Sequence, residues 1–151
     1  MTTIRCSKLD QFLECPGSQG EPAGYELRTS NMLARLGSAV HEPLSLRIAG
    51  GDTEDLKHYA VKWDVPKKQL EKLFFDGMRL FGEVREFFAA DLQTEVYHEI
   101  QPGKVKLTGH MDVLGYNHAY RMAVVADHKT GFVDGLHLAQ VKGYGLLALD
   151  L

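Results

Sequence analysis

The stretch that most constrains the fold covers residues 107–131, where two apolar segments are joined by a polar turn. The first segment carries a carboxylate at Asp112, and the second carries Asp127 and Lys129 two positions apart. Side chains two apart on a β-strand point to the same face, so the second segment places an oxygen ligand beside a cation. Pairing of the two segments as a hairpin would bring Asp112 next to them.

This combination of side chains suits the hydrolysis of a phosphodiester. A hard divalent cation such as Mg²⁺ prefers oxygen ligands and keeps several of its waters. A lysine beside it can position or deprotonate a water for attack on phosphate, or stabilise the developing charge. Like carboxylates raise each other's pKa, so Asp112 and Asp127 side by side would be unstable without a cation. We therefore expect a small phosphodiesterase site on this hairpin.

Length and composition are those of an ordinary globular domain. The chain has 151 residues, enough for one domain with a sizeable core. The apolar fraction is 44% and the charged fraction 25%, which are typical values. The net charge of −3, from 17 basic and 20 acidic residues, argues against a general nucleic-acid coat protein. Any affinity for DNA would have to come from a local basic patch or from bound metal.

The two cysteines, Cys6 and Cys15, have no CxxC partner. No apolar signal-peptide segment is present, and no run approaches the roughly 18 apolar residues of a membrane span. We therefore expect a cytoplasmic protein with free thiols and no membrane contact. A disulfide between Cys6 and Cys15 is the alternative.

The first ninety residues have helical periodicity. Residues 4–15 predict a helix with Ser7 as its N-cap. Residues 31–49 predict a second helix that carries His41 beside its apolar stripe. A lone histidine on a helix is more often a packing or surface residue than a metal ligand. Residues 67–90 form the longest periodic segment, which predicts a core-packing helix rich in aromatic residues.

From residue 91 onwards the periodicity changes to that of strands. A helical pattern returns over residues 135–150, where Gln140 and Tyr144 lie four apart and share one face. Strands are predicted at residues 94–100, 105–114 and 122–128.

Read together, six motifs resemble the PD-(D/E)XK nuclease superfamily, in the RecB-like and AddB-like branch that includes phage exonucleases. One Asp-x-Lys is weak evidence, but six motifs in the family's order and approximate spacing are strong evidence. They are Ser-x-x-x-x-Phe-x-x-Cys-Pro at 7–16, Gly-Ser-Ala-Val-His at 37–41, an acidic strand at 95–99, Gly-His-Met-Asp-Val at 109–113, Asp-His-Lys-Thr-Gly at 127–131 and Gln-x-x-x-Tyr at 140–144.

The resemblance implies a metal site and a catalytic lysine. By position in the motifs, His41, Asp112 and Asp127 would ligate Mg²⁺ or Mn²⁺. The backbone carbonyl of His128 would complete the ligand set, while the His128 ring is expected on the opposite strand face. Lys129 would be the catalytic lysine. The resemblance thus raises His41 from an ordinary helical histidine to an expected ligand.

The remaining motif residues have less direct roles by the same resemblance. Gln140 and Tyr144 would lie beside the active site and touch DNA. Glu95 best matches the family's acidic position by its distance along the chain, although Glu99 shares its strand face. His110 is expected to pack or to face solvent.

Many relatives hold an iron–sulfur cluster with one N-terminal cysteine and three near the C-terminus. Cys15 matches the first position, but no cysteine follows it. We therefore predict no iron–sulfur cluster, with Cys15 as a packing residue or a relic.

The resemblance implies an α/β (α+β) fold with a restriction-endonuclease-like core. We expect a single domain over residues 1–151, with a helical part over 1–90 and the catalytic sheet and helix over 91–151. The family core is usually α-β-β-β-α-β, and here the pattern ends without the last strand, which predicts a mixed three-stranded sheet flanked by helices. Either the chain is a fragment, or a partner chain or self-association completes the sheet, or three strands suffice.

The function expected from these residues is that of a divalent-metal-dependent deoxyribonuclease, an exonuclease or a recombination and repair enzyme. It would hydrolyse phosphodiesters by in-line attack of a water that Lys129 orients. The first alternative is an inactive nuclease-like module that binds DNA or a protein partner. The second is a structural protein whose hairpin charges are surface pairs. Polarity, strand preference, DNA against RNA and Mg²⁺ against Mn²⁺ stay open.

Overall fold

The fold is mixed α/β, with a sheet flanked by helices. A computed structural model describes residues 2–14, 31–53, 55–88, 91–129 and 138–151. Short 3₁₀ turns cover Cys6–Lys8 and Arg85–Phe87. The other elements in chain order are β1 (Thr2–Arg5), α1 (Leu9–Glu14), α2 (Met32–Ile48), α3 (Leu56–Lys62), α4 (Lys67–Val84), β2 (Gln93–Ile100), β3 (Val105–Asn117), β4 (Met122–Ala126) and α5 (Leu138–Asp150).

The sheet is built around β3. Strand β2 pairs with it antiparallel, with Ile100 opposite Leu107. Strand β4 pairs antiparallel with the C-terminal part of β3, and β1 pairs parallel with its N-terminal part. Because β2 overlaps both of these regions, β1 and β4 share the other edge of β3. The sheet is thus mixed and has four strands, not the three predicted.

The missed strand lies in the region predicted to be helical. Ile4 was assigned to a helix over residues 4–15, but it pairs with Leu107 and is only 3% exposed. The sequence Thr-Thr-Ile-Arg is rich in β-branched residues, which favour strands. The helix begins only at Leu9, so Ser7 lies in the preceding 3₁₀ turn and is not its N-cap.

Helices α2, α3 and α4 share one apolar core. Val40 and Leu44 of α2 are buried with Leu70 and Phe74 of α4. Helix α2 begins after Asn31, whose side chain accepts the Ala34 N–H at 2.8 Å, and it continues through Pro43 to Ile48. This core fixes one side of α2 and leaves another side to face the sheet.

Helix α5 packs closely on β3. Leu147 and Tyr144 are buried with Met111 and Cys6. A Cβ atom on Gly109 would overlap the Leu147 side chain, so the glycine permits this close approach. Cys6 is a buried free thiol, which contradicts the alternative of a Cys6–Cys15 disulfide; Cys15 itself lies outside the described residues. Among the described helices, none is long and apolar enough to cross a bilayer.

The facing of side chains along β3 changes at Asp112. Met111 packs in the cluster with α5, whereas Val113, two positions on, packs against Phe81 and Phe88 on another side. Strict alternation would put both side chains on one face. The register of β2 and β3 skips Glu95 and Asp112, between the pairs Thr94–Val113 and Val96–Met111, and Glu95 has a φ of 55°, in the left-handed region. This local irregularity is where the candidate site lies.

Candidate functional site

Three potential metal ligands converge from three elements. They are His41 on α2, Glu95 on β2 and Asp112 on β3, and one ligand atom of each lies within 4.8 Å of the others. Protein oxygen and nitrogen ligands lie about 2.0–2.6 Å from a bound cation. Atoms on opposite sides of one ion can therefore be about this far apart, so the spacing fits a common ion. We call these three residues the carboxylate cluster.

Both ring nitrogens of His41 face oxygen atoms of neighbouring residues. Its Nε2 lies 2.9 Å from the backbone carbonyl oxygen of His128, and its Nδ1 lies 3.5 Å from Asp112 Oδ2. With a cation bound, a neutral ring whose Nε2–H donates to the carbonyl would present its Nδ1 lone pair to the ion in place of the hydrogen bond with Asp112. The hydrogen bond with Asp112 raises the pKa of His41, against the opposing effect of burial.

Asp112 is buried, yet its pKa is lowered. It is 5% exposed, and its Oδ2 accepts the backbone N–H of His128 at 2.6 Å. Burial acts to raise the pKa of Asp112, but the hydrogen bonds from His41 and His128 outweigh it and the pKa is lowered. The pKa of Asp112 is thus lowered, although a neighbouring carboxylate by itself would raise it.

Glu95 completes the cluster through an unusual backbone. Its positive φ is uncommon for a residue with a side chain and costs about 1 kcal/mol or more. The Ser45 hydroxyl donates to Oε1, and Oε2 lies 3.3 Å from His110 Nδ1. Glu99 instead contacts Lys106 at 2.7 Å. Glu95 is thus the acidic residue of this strand that joins His41 and Asp112.

Ser45 is a site residue that sequence reasoning missed. It is buried and holds the Glu95 carboxylate from α2. It lies four residues after His41, and positions four apart share a helix face. That spacing was the available signal, but it becomes meaningful only once the helix is known to face β2.

The predicted pair of Asp127 and Lys129 is in contact, although these residues follow β4 and do not belong to it. Lys129 Nζ lies 2.5 Å from Asp127 Oδ2. The Tyr144 hydroxyl donates to Asp127 Oδ1 at 3.4 Å and accepts the Gln140 side-chain amide at 3.0 Å. Asp127 is not part of the carboxylate cluster as described. We call Asp127 and Lys129 the lysine pair.

His128 connects the carboxylate cluster to the lysine pair. Its N–H contacts Asp112 and its carbonyl contacts His41, while its chain neighbours form the lysine pair. Its ring lies edge-on to the His41 ring, with centroids 5.9 Å apart. The ring Nε2 is buried without a hydrogen-bond partner among the described residues, and burial lowers the pKa of His128.

Open space adjoins both groups. A cavity of about 700 Å³ is lined by His41, Ser45 and Glu95. A second cavity of about 380 Å³ is lined by Asp127 and Lys129. Ligand sites in proteins commonly have volumes of about 300–1,000 Å³. A small polar ligand can therefore approach each group.

Comparison with known proteins gives limited information. No family model matches the chain. The chain is 27% identical to SH3 domain-containing protein 2 of Arabidopsis thaliana over 110 aligned residues. These residues cover 71% of this chain and 29% of that protein. The chain thus spans less than a third of the length of that relative.

Proposed function

We propose that this protein is a divalent-metal-dependent nuclease that hydrolyses phosphodiester bonds in DNA. The observation that carries the proposal is the convergence of His41, Glu95 and Asp112 within 4.8 Å. A divalent cation held by these residues would polarise phosphate oxygens and lower the pKa of water. The mixed sheet and its flanking helices are proposed to form a restriction-endonuclease-like core, in line with the motif order.

The donor set fits Mg²⁺ or Mn²⁺. Asp112 and Glu95 supply the carboxylate oxygens that hard cations prefer, and His41 adds one imidazole nitrogen. The His128 carbonyl contacts His41 Nε2, which favours a role in orienting the ring. Two carboxylates beside one imidazole leave negative charge whether or not the ring is protonated, and a cation would compensate it.

Lys129 is proposed as the residue that acts on the substrate. Its ammonium group lies against Asp127, and its side chain is 41% exposed, so it can reach a phosphate in the adjoining cavity. There it would orient water for in-line attack or stabilise the charge that develops on the phosphate. Asp127 would hold the ammonium group in position.

One observation favours a second candidate, an inactive nuclease-like module that binds DNA or a protein. Asp127, expected to be a ligand, instead contacts Lys129 and Tyr144. A cation held by fewer ligands than expected could anchor a phosphate without cleavage. Binding of DNA without cleavage in either metal would support this candidate.

A degradation assay with linear and circular DNA in Mg²⁺, Mn²⁺ or EDTA tests the proposal. We expect metal-dependent cleavage, and loss of linear DNA alone would identify an exonuclease. Lys129→Ala should lower the rate by about 100-fold or more, since groups that stabilise transition-state charge contribute effects of that order. Lys68→Ala, a change at an exposed lysine of α4, is the matched control.

The same assay can contradict the proposal. If the wild-type protein cleaved no DNA in either metal, the proposed nuclease activity would be contradicted. If Lys129→Ala cleaved DNA at the wild-type rate, the catalytic role proposed for Lys129 would be contradicted.

A further inference from the structure

A polar cavity lies on the sheet next to the carboxylate cluster and is not used by the chemistry described above. Its volume is about 480 Å³. Thr3 and Arg5 of β1 line it on one side, and Tyr97 of β2 lines it on the other. Lys106 and His110 of β3, the strand between β1 and β2, also line it. The register brings these groups together, because Thr3 pairs with Lys106 and Tyr97 pairs with His110.

Arg5 gives the cavity a cation in a protein that is acidic overall. Arg5 is exposed and forms no ion pair with the described residues. Lys106 is paired with Glu99 at 2.7 Å, so its charge is partly compensated. His110 likewise lies beside Glu95. Among the described residues, Arg5 is therefore the cation of this cavity that is left for a phosphate, on a chain with a net charge of −3.

The cavity also presents an aromatic ring. Tyr97 is 60% exposed, and its hydroxyl donates to Glu99 at 3.0 Å, which restrains the side chain. An exposed, restrained ring beside cations is the combination on which single-stranded nucleic acids stack their bases. A duplex keeps its base faces stacked internally, so it could not use the ring in this way.

The cavity is connected to the carboxylate cluster. His110 lines the cavity, and its Nδ1 lies 3.3 Å from Glu95 Oε2. Tyr144, which also lines the cavity, contacts Asp127 through its hydroxyl. Residues that line the cavity therefore also contact the carboxylate cluster and the lysine pair, so a strand in the cavity would lie beside the candidate active site.

We propose that this cavity binds a nucleotide of single-stranded DNA next to the phosphate that is cleaved. The base stacks on Tyr97, and the adjoining phosphates contact Arg5 and Lys106. This inference rests on the proposed nuclease function and adds a substrate class to it, namely single-stranded DNA or a frayed end in preference to an intact duplex.

Fluorescence anisotropy with labelled oligothymidylate tests the proposal, in EDTA so that cleavage does not interfere. Tyr97→Leu should weaken binding by about tenfold, the effect of losing one stacked base, whereas Tyr97→Phe keeps the ring and should bind within about twofold of wild type. Arg5→Gln should weaken binding and reduce the slope of log K against log salt by about 0.7, because one phosphate contact is lost.

Two exposed residues elsewhere provide matched controls. Tyr120→Leu removes a tyrosine that is 74% exposed, and Lys68→Gln removes an exposed cation. Both should bind like wild type. Equal affinities for Tyr97→Leu and Tyr120→Leu, or a duplex bound as tightly as the single strand, would overturn the proposal.

The outcome can be separated from that of the nuclease proposal. If DNA is degraded but the Tyr97 and Arg5 variants bind like their controls, the cavity assignment alone is wrong. If oligothymidylate binding depends on Tyr97 and Arg5 but no DNA is degraded in either metal, the cavity assignment stands and the nuclease activity is wrong.

Discussion

The carboxylate cluster and the lysine pair lie on either side of His128, yet they differ in charge. The cluster brings two carboxylates together with one imidazole. The pair joins one carboxylate to one ammonium group, and Tyr144 adds a neutral hydroxyl. The cluster therefore has excess negative charge, whereas the pair is compensated within itself.

This difference in charge indicates different roles for Asp112 and Asp127, both of which the motif resemblance predicts to be metal ligands. Asp112 is buried, has a lowered pKa and points into the cluster, so it is suited to hold a cation. Asp127 holds Lys129, so it is suited to position a charged group for the substrate. We therefore expect the cation to bind at the carboxylate cluster and not at the lysine pair.

The largest expected effect is on stabilisation by metal. At a Mn²⁺ concentration a hundredfold above Kd, binding stabilises the folded state by about 2.7 kcal/mol. For a chain of this length that raises the unfolding midpoint by about 5–10 °C. Asp112→Asn should abolish the shift, because it removes a ligand charge while its side-chain oxygen can still accept the His128 N–H. Thermal unfolding followed by circular dichroism measures this.

Asp52→Asn, a change at an exposed aspartate, is the control and should keep the full shift. If Asp112→Asn kept the shift and Asp127→Asn lost it, the cation would belong to the lysine pair and the contrast would be reversed.

A second prediction separates Glu95 from Glu99 on the same strand. Glu95→Gln should weaken Mn²⁺ binding by about 10–100-fold, because a group that holds or orients a metal contributes an effect of that order. The new amide oxygen can still accept from Ser45, so the backbone at residue 95 should be retained. Glu99→Gln should leave the affinity unchanged, since Glu99 pairs with Lys106. Isothermal titration calorimetry gives both values, and equal losses would contradict the assignment of Glu95.

Much of the fold could be predicted because the relevant signals are local. The apolar stripe of α2 and the alternation in β2 are repeated over many residues, so errors at single positions average out. Strand β1 was missed because it is only four residues long, and its pairing of Ile4 with Leu107 joins distant parts of the chain. Short strands of this kind cannot be told from helix starts without their partner.

Motif order pointed to several residues of the candidate site but not to the contacts between them. Motif order identified His41, Asp112 and Lys129 as residues to examine. It could not indicate that Glu95 adopts a positive φ, a conformation that is uncommon for a residue with a side chain. Nor could it indicate Ser45, whose role depends on how α2 is placed against β2. Such details depend on contacts between helices and strands that are distant in the chain, and these contacts cannot be predicted from the periodicity or motifs of a single sequence.

The smallest expected effect concerns Tyr144, which supports the lysine pair from α5. Tyr144→Phe should cost about 1–2 kcal/mol at neutral pH, because the buried Gln140 amide loses its acceptor. Burial raises the pKa of Tyr144 to about 12, against about 10 in the unfolded chain. The folded state therefore keeps this proton while the unfolded state loses it, and the contribution to stability falls as the pH rises from about 10 to 12.

The gap in unfolding free energy between wild type and Tyr144→Phe should consequently narrow by about 1 kcal/mol near pH 11. Urea unfolding at pH 9 and pH 11 measures it, with Tyr120→Phe as the exposed control that should show no such change. Burial also raises the pKa of Cys6, to about 11, but that contribution is common to all three proteins and cancels in the comparison. A gap that stays constant with pH would mean that the Tyr144 hydroxyl is open to solvent. Asp127 would then depend on Lys129 alone, and the contrast between the compensated pair and the cation-seeking cluster would rest on a single ion pair.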